Sequence, residues 1–346
     1  MKKAIYGAGQ FGRYFFKILD KKIGIDFFID AYTTSDELYG KQIFRPENAP
    51  TATVYNSVHF HDDEIVKLLK TEGFEVKSFT ETLKEFPEIF SVFRKKRFLW
   101  LDETKSLIDE KLDKVLKLLK DSESLEIFNK IVEFRKSFNM EYYPYPNSKL
   151  SEQYFPKDVP VIPETDELRF IDCGAFTGDT IELINNNVQK SKKVSVVSFE
   201  PDPNNLNTLQ KNIKKFPNID TVVIPMGVYS ETKILKFSLS GSGSAISKDG
   251  DVSVPVTSLD ETVYSFKPNY IKMDVEGAEK EALCGAKNII RDFTPNLAIS
   301  LYHKPEDLWE LPLLINELNP NYDFYIRVHA HLAIETVFYC IRKNRD

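Results

Sequence analysis

Short apolar runs alternate with stretches of helical period along the first part of the chain. Strands are predicted at residues 3–6, 25–29, 53–58 and 74–79, and helices at residues 11–19 and 62–69. Alternation of strands and helices is typical of βαβ units that build a parallel sheet. The pattern therefore predicts a small α/β block over residues 1–80, with about four strands.

The strand pattern disappears between residues 81 and 150, and a helical period replaces it. Ile108, Leu112 and Val115 are separated by four and three positions, and a second stripe of the same kind begins at Leu125. An apolar stripe of this kind has to bury against another surface. We therefore predict a packed helical connector in this block rather than a flexible linker.

A second and longer alternation of strands and helices fills residues 151–346. Strands are predicted at residues 168–172, 194–200, 221–225, 270–274, 296–302, 322–328 and 335–341. Helices are predicted at residues 180–188, 203–214, 279–290 and 306–318. The short gap before the last strand, around residues 329–331, leaves no room for a parallel crossover. The predicted fold class is α/β, with a mostly parallel, doubly wound sheet that ends in an antiparallel hairpin.

Length and composition limit the possible architectures and partners. A chain of 346 residues suggests two domains, and with the connector the predicted division is 1–80, 81–150 and 151–346. A hydrophobic content of 42% excludes a disordered chain. The chain has 46 Lys and Arg residues against 52 Asp and Glu residues, a net charge of −6. This balance disfavours nucleic-acid and anionic-membrane partners, because phosphate contacts need cations.

The cysteines and the apolar segments bear on the compartment. Cys173, Cys284 and Cys340 are widely spaced and odd in number, so neither a disulfide framework nor a CxxC zinc site is predicted. The chain reaches Gly7 before an apolar signal region could form, and no run approaches the ~18 uncharged apolar residues of a membrane span. These features predict a soluble cytoplasmic protein.

A glycine-rich turn, FIDCGAFTGDT at residues 170–180, follows the first strand of the longer block. In such sheets the ligand lies beyond the carboxyl ends of the strands. Asp172 ends the strand with a carboxylate, which disfavours a pyrophosphate but suits a ligand with an ammonium or sulfonium charge. Glu200 ends the next strand, 28 residues later, where a carboxylate can accept hydrogen bonds from both ribose hydroxyls.

These positions together describe a nucleoside site without a pyrophosphate, which S-adenosylmethionine (SAM) would fill. The competing interpretation is an ordinary helix N-terminus with an acid as its cap. The second carboxylate at a strand end and the terminal hairpin favour the cofactor site.

The same region resembles the FkbM-type SAM-dependent methyltransferases over most of residues 150–341. FIDCGAFTGDT is similar to the cofactor loop of that family, and SFEP at residues 198–201 is similar to its ribose-binding strand end. IKMDVEGAE at residues 271–279 is similar to its most recognisable signature. Further matches are SLYH at 300–303, ETVFY at 335–339 and QYF at 153–155. A single motif would be weak evidence, whereas this set in this order is strong.

The resemblance implies a seven-stranded Rossmann-like methyltransferase domain, SAM as the cofactor, and O-methylation, often of sugar hydroxyls. The residues that we expect at the cofactor are Asp172, Gly174, Ala175, Thr177, Gly178, Thr180, Glu200, Pro201, Gly227, Asp274 and Tyr154. The expected partner is a small-molecule or sugar acceptor. Linkage of that acceptor to a nucleotide, and homo-oligomerisation of the chain, are left open.

Methyl transfer from a sulfonium to an alcohol is an in-line displacement in which the acceptor also loses a proton, so a positioned base helps. Asp274 ends the fourth core strand and His303 the fifth, and these are the two candidates for the base. Glu276 could point at the substrate, while Glu279 is expected to cap the helix that Gly277 opens. The competing interpretations are an Asp274 that caps a helix or holds cofactor, and a His303 on the rim that bonds to backbone.

No metal is predicted at this site. His329 and His331 share one face of a strand, and together with Asp274 they could suggest a metal site. Histidines in a hairpin are usually solvated, however, so the metal interpretation is disfavoured.

A glycine–serine loop, GSGSAIS at residues 241–247, lies between two short strands predicted at residues 233–238 and 252–256. Such a loop could close over cofactor and acceptor, although a flexible hairpin tip is the competing interpretation. We expect contacts to the acceptor from Ser244, Tyr302 and His303. We also expect Ser244→Ala to lower turnover more than stability.

An earlier glycine turn, GAGQFG at residues 7–12, has the G-x-G-x-x-G spacing of dinucleotide sites. It follows a predicted strand and opens a predicted helix, and Asp30 ends the next strand. The predicted sheet is too small for a full dinucleotide domain, and no catalytic set follows it. Three roles stay open for this small Rossmann-like block: binding of a nucleotide or nucleotide-linked acceptor, a structural or oligomerising role, and NAD binding.

The leading hypothesis is a SAM-dependent O-methyltransferase that acts on a hydroxyl of a carbohydrate or carbohydrate-linked small molecule. The alternative enzyme is an NAD-dependent sugar oxidoreductase that uses the first glycine turn. The third hypothesis is a catalytically inactive scaffold that only binds a ligand. The complete motifs around Asp172 and Asp274 disfavour the scaffold.

Overall fold

The computed structural model describes residues 1–93, 106–238, 245–246 and 252–343. Contacts divide the chain into two compact units, Met1–Leu101 with Glu133–Tyr143, and Asp102–Val132 with Pro144–Asp346. The boundaries at residues 80 and 150 stay a prediction, which limited proteolysis would test. Within the described part of the chain, no helix has both the length and the apolar composition that crossing a bilayer requires.

A six-stranded sheet organises the first unit. Its strands are β1 (Lys2–Tyr6), β2 (Phe27–Ile29), β3 (Glu37–Leu38), β4 (Lys41–Phe44), β5 (Ala52–Asn56) and β6 (Glu75–Lys77). The helices of this part of the chain are α1 (Gln10–Ile23), α2 (Asp62–Thr71), α3 (Phe79–Glu85) and α4 (Phe90–Phe93). The strand order is β3-β4-β2-β1-β5-β6, and all pairs are parallel except β3 with β4.

The first sheet is larger than the sequence pattern predicts. The expectation of about four strands is wrong, because β3 and β4 add a short polar pair that has no clear apolar period. The strand predicted at residues 74–79 also ends early, at Lys77. Ser78 starts α3 there through a capping box, in which Ser78 and Glu81 each accept a hydrogen bond from the other's backbone N–H.

A seven-stranded sheet forms the centre of the second unit. The strands of this unit are β7 (Glu167–Cys173), β8 (Lys193–Phe199), β9 (Asp220–Ile224), β10 (Gly227–Val228), β11 (Lys233–Ser238), β12 (Ala245–Ile246), β13 (Val252–Thr257), β14 (Tyr270–Met273), β15 (Asn296–Ser300), β16 (Tyr322–Val328) and β17 (Thr336–Arg342). The remaining helices of the chain are α5 (Ser106–Leu116), α6 (Ser122–Ser137), α7 (Asp179–Asn187), α8 (Pro203–Asn212), α9 (Leu259–Thr262), α10 (Glu279–Cys284), α11 (Lys287–Phe293) and α12 (Asp307–Leu318).

The central sheet has the order β16-β17-β15-β14-β7-β8-β9. Its strands pair in parallel except β17, which is antiparallel to both β15 and β16. The predicted mostly parallel sheet with a terminal antiparallel hairpin is therefore confirmed. A small second sheet, β10-β13-β11-β12, includes the two short strands predicted around the glycine–serine loop. Ser244 itself lies outside the described residues.

The helix predicted at residues 279–290 is divided into α10 and α11. The break follows Gly285, whose backbone lies against the carbonyl oxygen of Tyr229. A Cβ atom added at Gly285 would be 2.0 Å from that oxygen, so a side chain is excluded. At the point where the predicted helix is interrupted, Gly285 thus allows a close backbone contact with a residue that is remote in sequence.

The strand order brings three turns to one edge of the central sheet. β14, β7 and β8 are neighbours, and parallel strands place their carboxyl ends at the same edge. The turns that follow these strands begin at Asp274, Gly174 and Glu200 respectively. Residues far apart in the sequence therefore gather at this edge.

Candidate active site

A cavity of about 250 Å³ opens at the carboxyl ends of β7, β8 and β14. One water takes up roughly 30 Å³ of liquid, so the space suits a small organic molecule. The predicted site residues that line it are Gly174, Glu200, Pro201, Gly227, Tyr154, Asp274, Glu276 and Tyr302. The predicted residues that lie outside its lining are Asp172, Ala175, Thr177, Gly178, Thr180 and His303.

Gly174 allows two backbone segments to approach each other below the cavity. Its φ of +83° lies in the left-handed region, and a Cβ added to it would be 1.9 Å from the carbonyl oxygen of Asp274. Both features exclude a side chain. The turn after β7 therefore packs directly against the turn after β14.

We expect Gly174→Ala to lower the free energy of unfolding by about 2–4 kcal/mol, the sum of backbone strain and overlap with a neighbouring backbone. Gly73→Ala is the matched control, because Gly73 has a φ of +88° but nothing within 4 Å of the added Cβ. Gly73→Ala should lower the free energy of unfolding by only about 1–2 kcal/mol. Urea denaturation measures the free energy of unfolding of both variants. Equal losses would show that the overlap of the added methyl group with the Asp274 backbone has no energetic cost.

The other predicted residues of this turn support it from outside the cavity. The Ala175 N–H donates to the carbonyl of Phe199 at 2.9 Å. Gly178, with a φ of +87°, precedes α7. The Thr177 carbonyl accepts a hydrogen bond at 2.8 Å from a side chain of α8, and Thr180 is fully buried. These residues shape the turn, and direct contact of any of them with a cofactor stays a prediction.

Asp172 has a cationic partner within the protein. Strand pairing places Lys272 of β14 opposite Asp172 of β7, with 3.1 Å between the ammonium and one carboxylate oxygen. Lys272 also donates to the Gly174 carbonyl at 2.6 Å and lies 5.1 Å from the centre of the Tyr154 ring. Burial disfavours the ammonium, but Asp172 and neighbouring carboxylates raise the pKa of Lys272 above its usual range. Asp172 therefore pairs with Lys272 rather than facing the cavity.

Glu200 forms the wall of the cavity at the end of β8. Its carboxylate accepts hydrogen bonds at 2.8 Å from the backbone N–H groups of Phe176 and Asp202, and a longer one of 3.3 Å from Asn205. Burial raises its pKa. Gly227 lies beside Pro201 on the same wall. The predicted ribose carboxylate thus lines the cavity in an ordered position.

Two tyrosines hold Asp274 at the end of β14. The hydroxyl of Tyr154 donates to Asp274 Oδ2 at 2.7 Å, and that of Tyr302 lies 3.2 and 3.3 Å from the two oxygens. Burial opposes ionisation of Asp274, but the charges of His303 and Lys272 together with these hydrogen bonds lower its pKa. Asp274 is therefore a fixed carboxylate at neutral pH.

His303 lies behind the cavity wall, between two groups of carboxylates. Its Nδ1 is 2.9 Å from Glu279, and its Nε2 is 3.4 Å from Asp274 and 3.6 Å from Glu276. Burial disfavours the imidazolium, but the three carboxylates raise the pKa of His303 to about 10. His303 is thus a cation at neutral pH. Glu279 also accepts hydrogen bonds from the turn that precedes α10, which agrees with its expected capping position.

Two more carboxylates line the cavity beside Asp274. Glu276 and Glu335 have left-handed backbones, with φ of 54° and 55°. Such conformations cost roughly 1–3 kcal/mol and cluster at functional sites. Burial is the main cause that raises the pKa of each to about 7. Sequence reasoning missed Glu335 as a site residue, although the ETVFY motif begins with it and Gln153 of the QYF motif donates to it.

One group of described residues has the spacing of metal ligands, namely Asp274, Glu279 and His303. Each offers one ligand atom, and these atoms lie within 4.8 Å of one another. The two ring nitrogens of His303 face different carboxylates, however. The imidazolium itself thus lies between the carboxylates, where a bound cation would otherwise neutralise them.

His329 does not behave as a solvated hairpin histidine. It is 4% exposed, and its ring nitrogens lie 2.9 Å from the Lys149 carbonyl and 2.8 Å from the Tyr339 hydroxyl. Burial lowers its pKa to about 4. The expectation that it is solvated is therefore wrong, because the segment around Lys149 covers it.

The first glycine turn, at residues 7–12 in the other unit, makes its close contacts with backbone groups of the protein itself. The carboxylate of Asp30 accepts hydrogen bonds from the N–H groups of Ala8, Tyr32 and Thr33, all within 2.8 Å. A Cβ added at Gly12 would lie 1.9 Å from the Gly7 carbonyl oxygen. The glycines thus serve close packing of helix on strand, and Asp30 already has partners where a ribose would otherwise bind.

Comparison with known proteins identifies relatives of this chain. Residues 172–329 match the model of the methyltransferase FkbM domain. A hexuronic acid methyltransferase, AglP of Haloferax volcanii, is 31% identical over 39% of this chain. That match spans 62% of the relative's length.

A solved structure extends the likeness to nearly the whole chain. The FkbM methyltransferase of Methylobacillus flagellatus superposes with a TM-score of 0.68 over 98% of this chain and 89% of its own, at 23% sequence identity. This likeness establishes the Rossmann-like methyltransferase fold. Over residues 172–329 the chain is therefore similar to the FkbM methyltransferase domain, and beyond that region the likeness is one of fold.

Proposed function

We propose that the protein is a SAM-dependent O-methyltransferase whose acceptor is a hydroxyl of a carbohydrate or carbohydrate-linked small molecule. One observation carries the proposal: a single cavity extends from Glu200, suited to a ribose, to the carboxylates and tyrosines around Asp274. Gly174 lies between them, because β7 lies between β8 and β14. A ligand with a nucleoside at one end and a reactive group at the other suits this arrangement.

The cavity wall fits SAM at its nucleoside end. A carboxylate offers about four acceptor sites, and the backbone of Phe176 and Asp202 uses two of those on Glu200. Two ribose hydroxyls can take the others once the longer contact from Asn205 yields. Gly174 lets the ligand approach the backbone closely. When bound, SAM supplies a methyl group on a sulfonium, which is a good leaving group.

The candidate catalytic residues take different roles at the acceptor end. His303 is protonated and lies outside the cavity lining, so it stabilises the neighbouring carboxylates instead of accepting a proton. Glu276 lines the cavity, and burial raises its pKa to about 7, near the pH at which a general base works best. As the acceptor oxygen gains the methyl group, its proton passes to Glu276. Asp274, held by Tyr154 and Tyr302, orients the hydroxyl.

Calorimetry with SAM, S-adenosylhomocysteine (SAH) and NAD tests the cofactor assignment. We expect SAM and SAH to bind and NAD not to bind. Transfer of a labelled methyl group from SAM to a panel of neutral sugars, sugar acids and their nucleotide conjugates then tests the acceptor. Binding of NAD alone would overturn the proposal in favour of an oxidoreductase.

Glu200→Ala is expected to weaken SAH binding by about 30–100-fold, because two hydrogen bonds to a charged acceptor are lost. Glu200→Gln, which keeps one carbonyl acceptor, should give an intermediate loss. Calorimetry measures both, and circular dichroism checks that the variants keep the overall fold. SAH binding that Glu200→Ala leaves unweakened would contradict the ribose assignment.

The finer features of the function remain predictions. The name of the relative from Haloferax volcanii supports a carbohydrate acceptor, but its match leaves part of its length uncovered. Linkage of the acceptor to a nucleotide, self-association, a cytoplasmic location and ligand binding by the first glycine turn each need their own test. Titration with nucleotide sugars, followed by calorimetry, would test the last of these.

A further inference from the structure

Carboxylates line the cavity near the ends of β7 and β8, and a second group of them lies at its other end. Asp274, Glu276 and Glu335 line its wall near the end of β14. Lys272 is the one ammonium group among the described lining residues, and it is already bound to Asp172 and to a backbone carbonyl. The described wall at this end therefore presents carboxylates without a free ammonium group.

The surroundings of these carboxylates do not cancel their charge. His303 is the cation that Asp274 and Glu276 share, at 3.4 and 3.6 Å. Its other ring nitrogen is 2.9 Å from a further carboxylate, that of Glu279. Three carboxylates thus contact one imidazolium, and Glu335 adds a fourth to the same end of the cavity, so the wall keeps a negative potential when they are ionised.

SAM and its product SAH differ at a single centre. Both carry the same adenosine, amino and carboxyl groups, but SAM has one more methyl group and one positive charge at sulfur. A negatively charged wall acts on that charge more strongly in the lower dielectric of a protein cavity than it would in bulk solvent. The ratio of the affinities for SAM and SAH therefore reports the electrostatic potential at the position of the sulfur.

We propose that Asp274, Glu276 and Glu335 recognise the sulfonium charge, so that the site binds SAM more tightly than SAH and favours release of the spent cofactor. The inference rests on the proposed function, in which SAM is the cofactor. It moves the role that the sequence assigns to Asp172 onto other residues. Asp172 forms its ion pair with Lys272. For these three carboxylates, the sulfonium of the ligand supplies the additional positive charge.

The preference for SAM depends on pH. Glu276 faces His303, Asp274, Glu279 and Lys272, and Glu335 faces Asp274, Tyr302, His303 and Gln153. Both glutamates have a pKa of about 7, while His303, at about 10, stays protonated through neutrality. Raising the pH from 6 to 8 thus adds negative charge to the wall, and the sulfonium keeps its charge throughout. SAM should gain affinity relative to SAH as the pH rises.

Calorimetric titration of the full chain with SAM and SAH tests the inference. At pH 8 we expect SAM to bind about tenfold more tightly than SAH, and at pH 6, where both glutamates are largely protonated, the two affinities should be nearly equal. Glu276→Gln and Glu335→Gln should each reduce the pH 8 ratio about threefold. Glu182→Gln, on the exposed face of α7 and outside the cavity lining, is the matched control and should leave the ratio unchanged.

The possible results distinguish sulfonium recognition from the proposed function on which it rests. Equal affinities for SAM and SAH at pH 8 would overturn sulfonium recognition and leave the proposed function intact, since both ligands bind. Failure of both to bind would overturn the proposed function itself. A ratio that both glutamine variants leave unchanged would overturn the role of these carboxylates. If a variant loses its fold, which circular dichroism detects, the pH dependence of the wild-type ratio decides alone.

Discussion

Lys272→Met is expected to lower the free energy of unfolding of the second unit by about 3–5 kcal/mol. The side chains of Lys272 and Asp172 are 4% and 0% exposed, so the substitution leaves a buried carboxylate without its cation. It also removes the hydrogen bond of 2.6 Å to the Gly174 carbonyl, which joins the glycine turn to β14. Urea denaturation followed by circular dichroism measures the loss.

Two controls make this result specific to the buried pair. Combining Lys272→Met with Asp172→Asn removes both charges and should recover most of the loss, because a neutral pair of similar volume is often tolerated. Lys193→Met breaks a surface pair, 3.2 Å from Glu167, in which the lysine side chain is 74% exposed. Its expected cost is below about 1 kcal/mol. A Lys272→Met variant as stable as the wild type would show that the buried pair contributes no net stability.

Glu276→Gln is expected to lower kcat by about 10²–10⁴-fold at saturating SAM, because the acceptor proton loses its base. In the wild type the rate should rise with pH as Glu276 is deprotonated, with a midpoint below the ligand-free pKa of about 7, because the bound sulfonium favours the carboxylate. This rise should be absent in the variant. Transfer of labelled methyl to the acceptor, measured between pH 5.5 and 9, provides both readouts.

Glu182→Gln again serves as the control, since it removes an exposed carboxylate outside the cavity lining. It should leave both the rate and its pH dependence unchanged. SAH binding by Glu276→Gln shows whether the site is intact. An intact variant with the wild-type rate and pH profile would refute Glu276 as the base.

The alternation of strands and helices was predictable from the sequence because it follows from local periodicity. The terminal hairpin was predictable for the same reason, since the gap between β16 and β17 is too short for a crossover. The pairing of β3 with β4 was not predictable from the sequence. Both strands are short and polar and depend on pairing at the edge of the sheet. The interruption of the helix at Gly285 was not predictable either, since the backbone contact with Tyr229 there joins residues that are remote in sequence.

The candidate site was predictable only in part. Glu200, Asp274 and Glu276 follow strands whose ends meet at one edge, and all three line the cavity. Glu335 also lines it but stands before β17, outside the parallel strand ends on which the prediction concentrated. His303 was expected to be a base, whereas three neighbouring carboxylates make it a cation.

By itself, the sequence determined the order of the elements, the positions of the glycine turns and the motifs that resemble those of the FkbM family. These features depend on neighbours along the chain. The tertiary structure alone decided which partner each charged group has: Lys272 lies opposite Asp172, and His303 lies between Asp274 and Glu279. Electrostatic interactions act through space and strengthen with burial. The strand pairing that brings distant residues together therefore decides which carboxylates are neutralised within the protein and which remain to face a ligand.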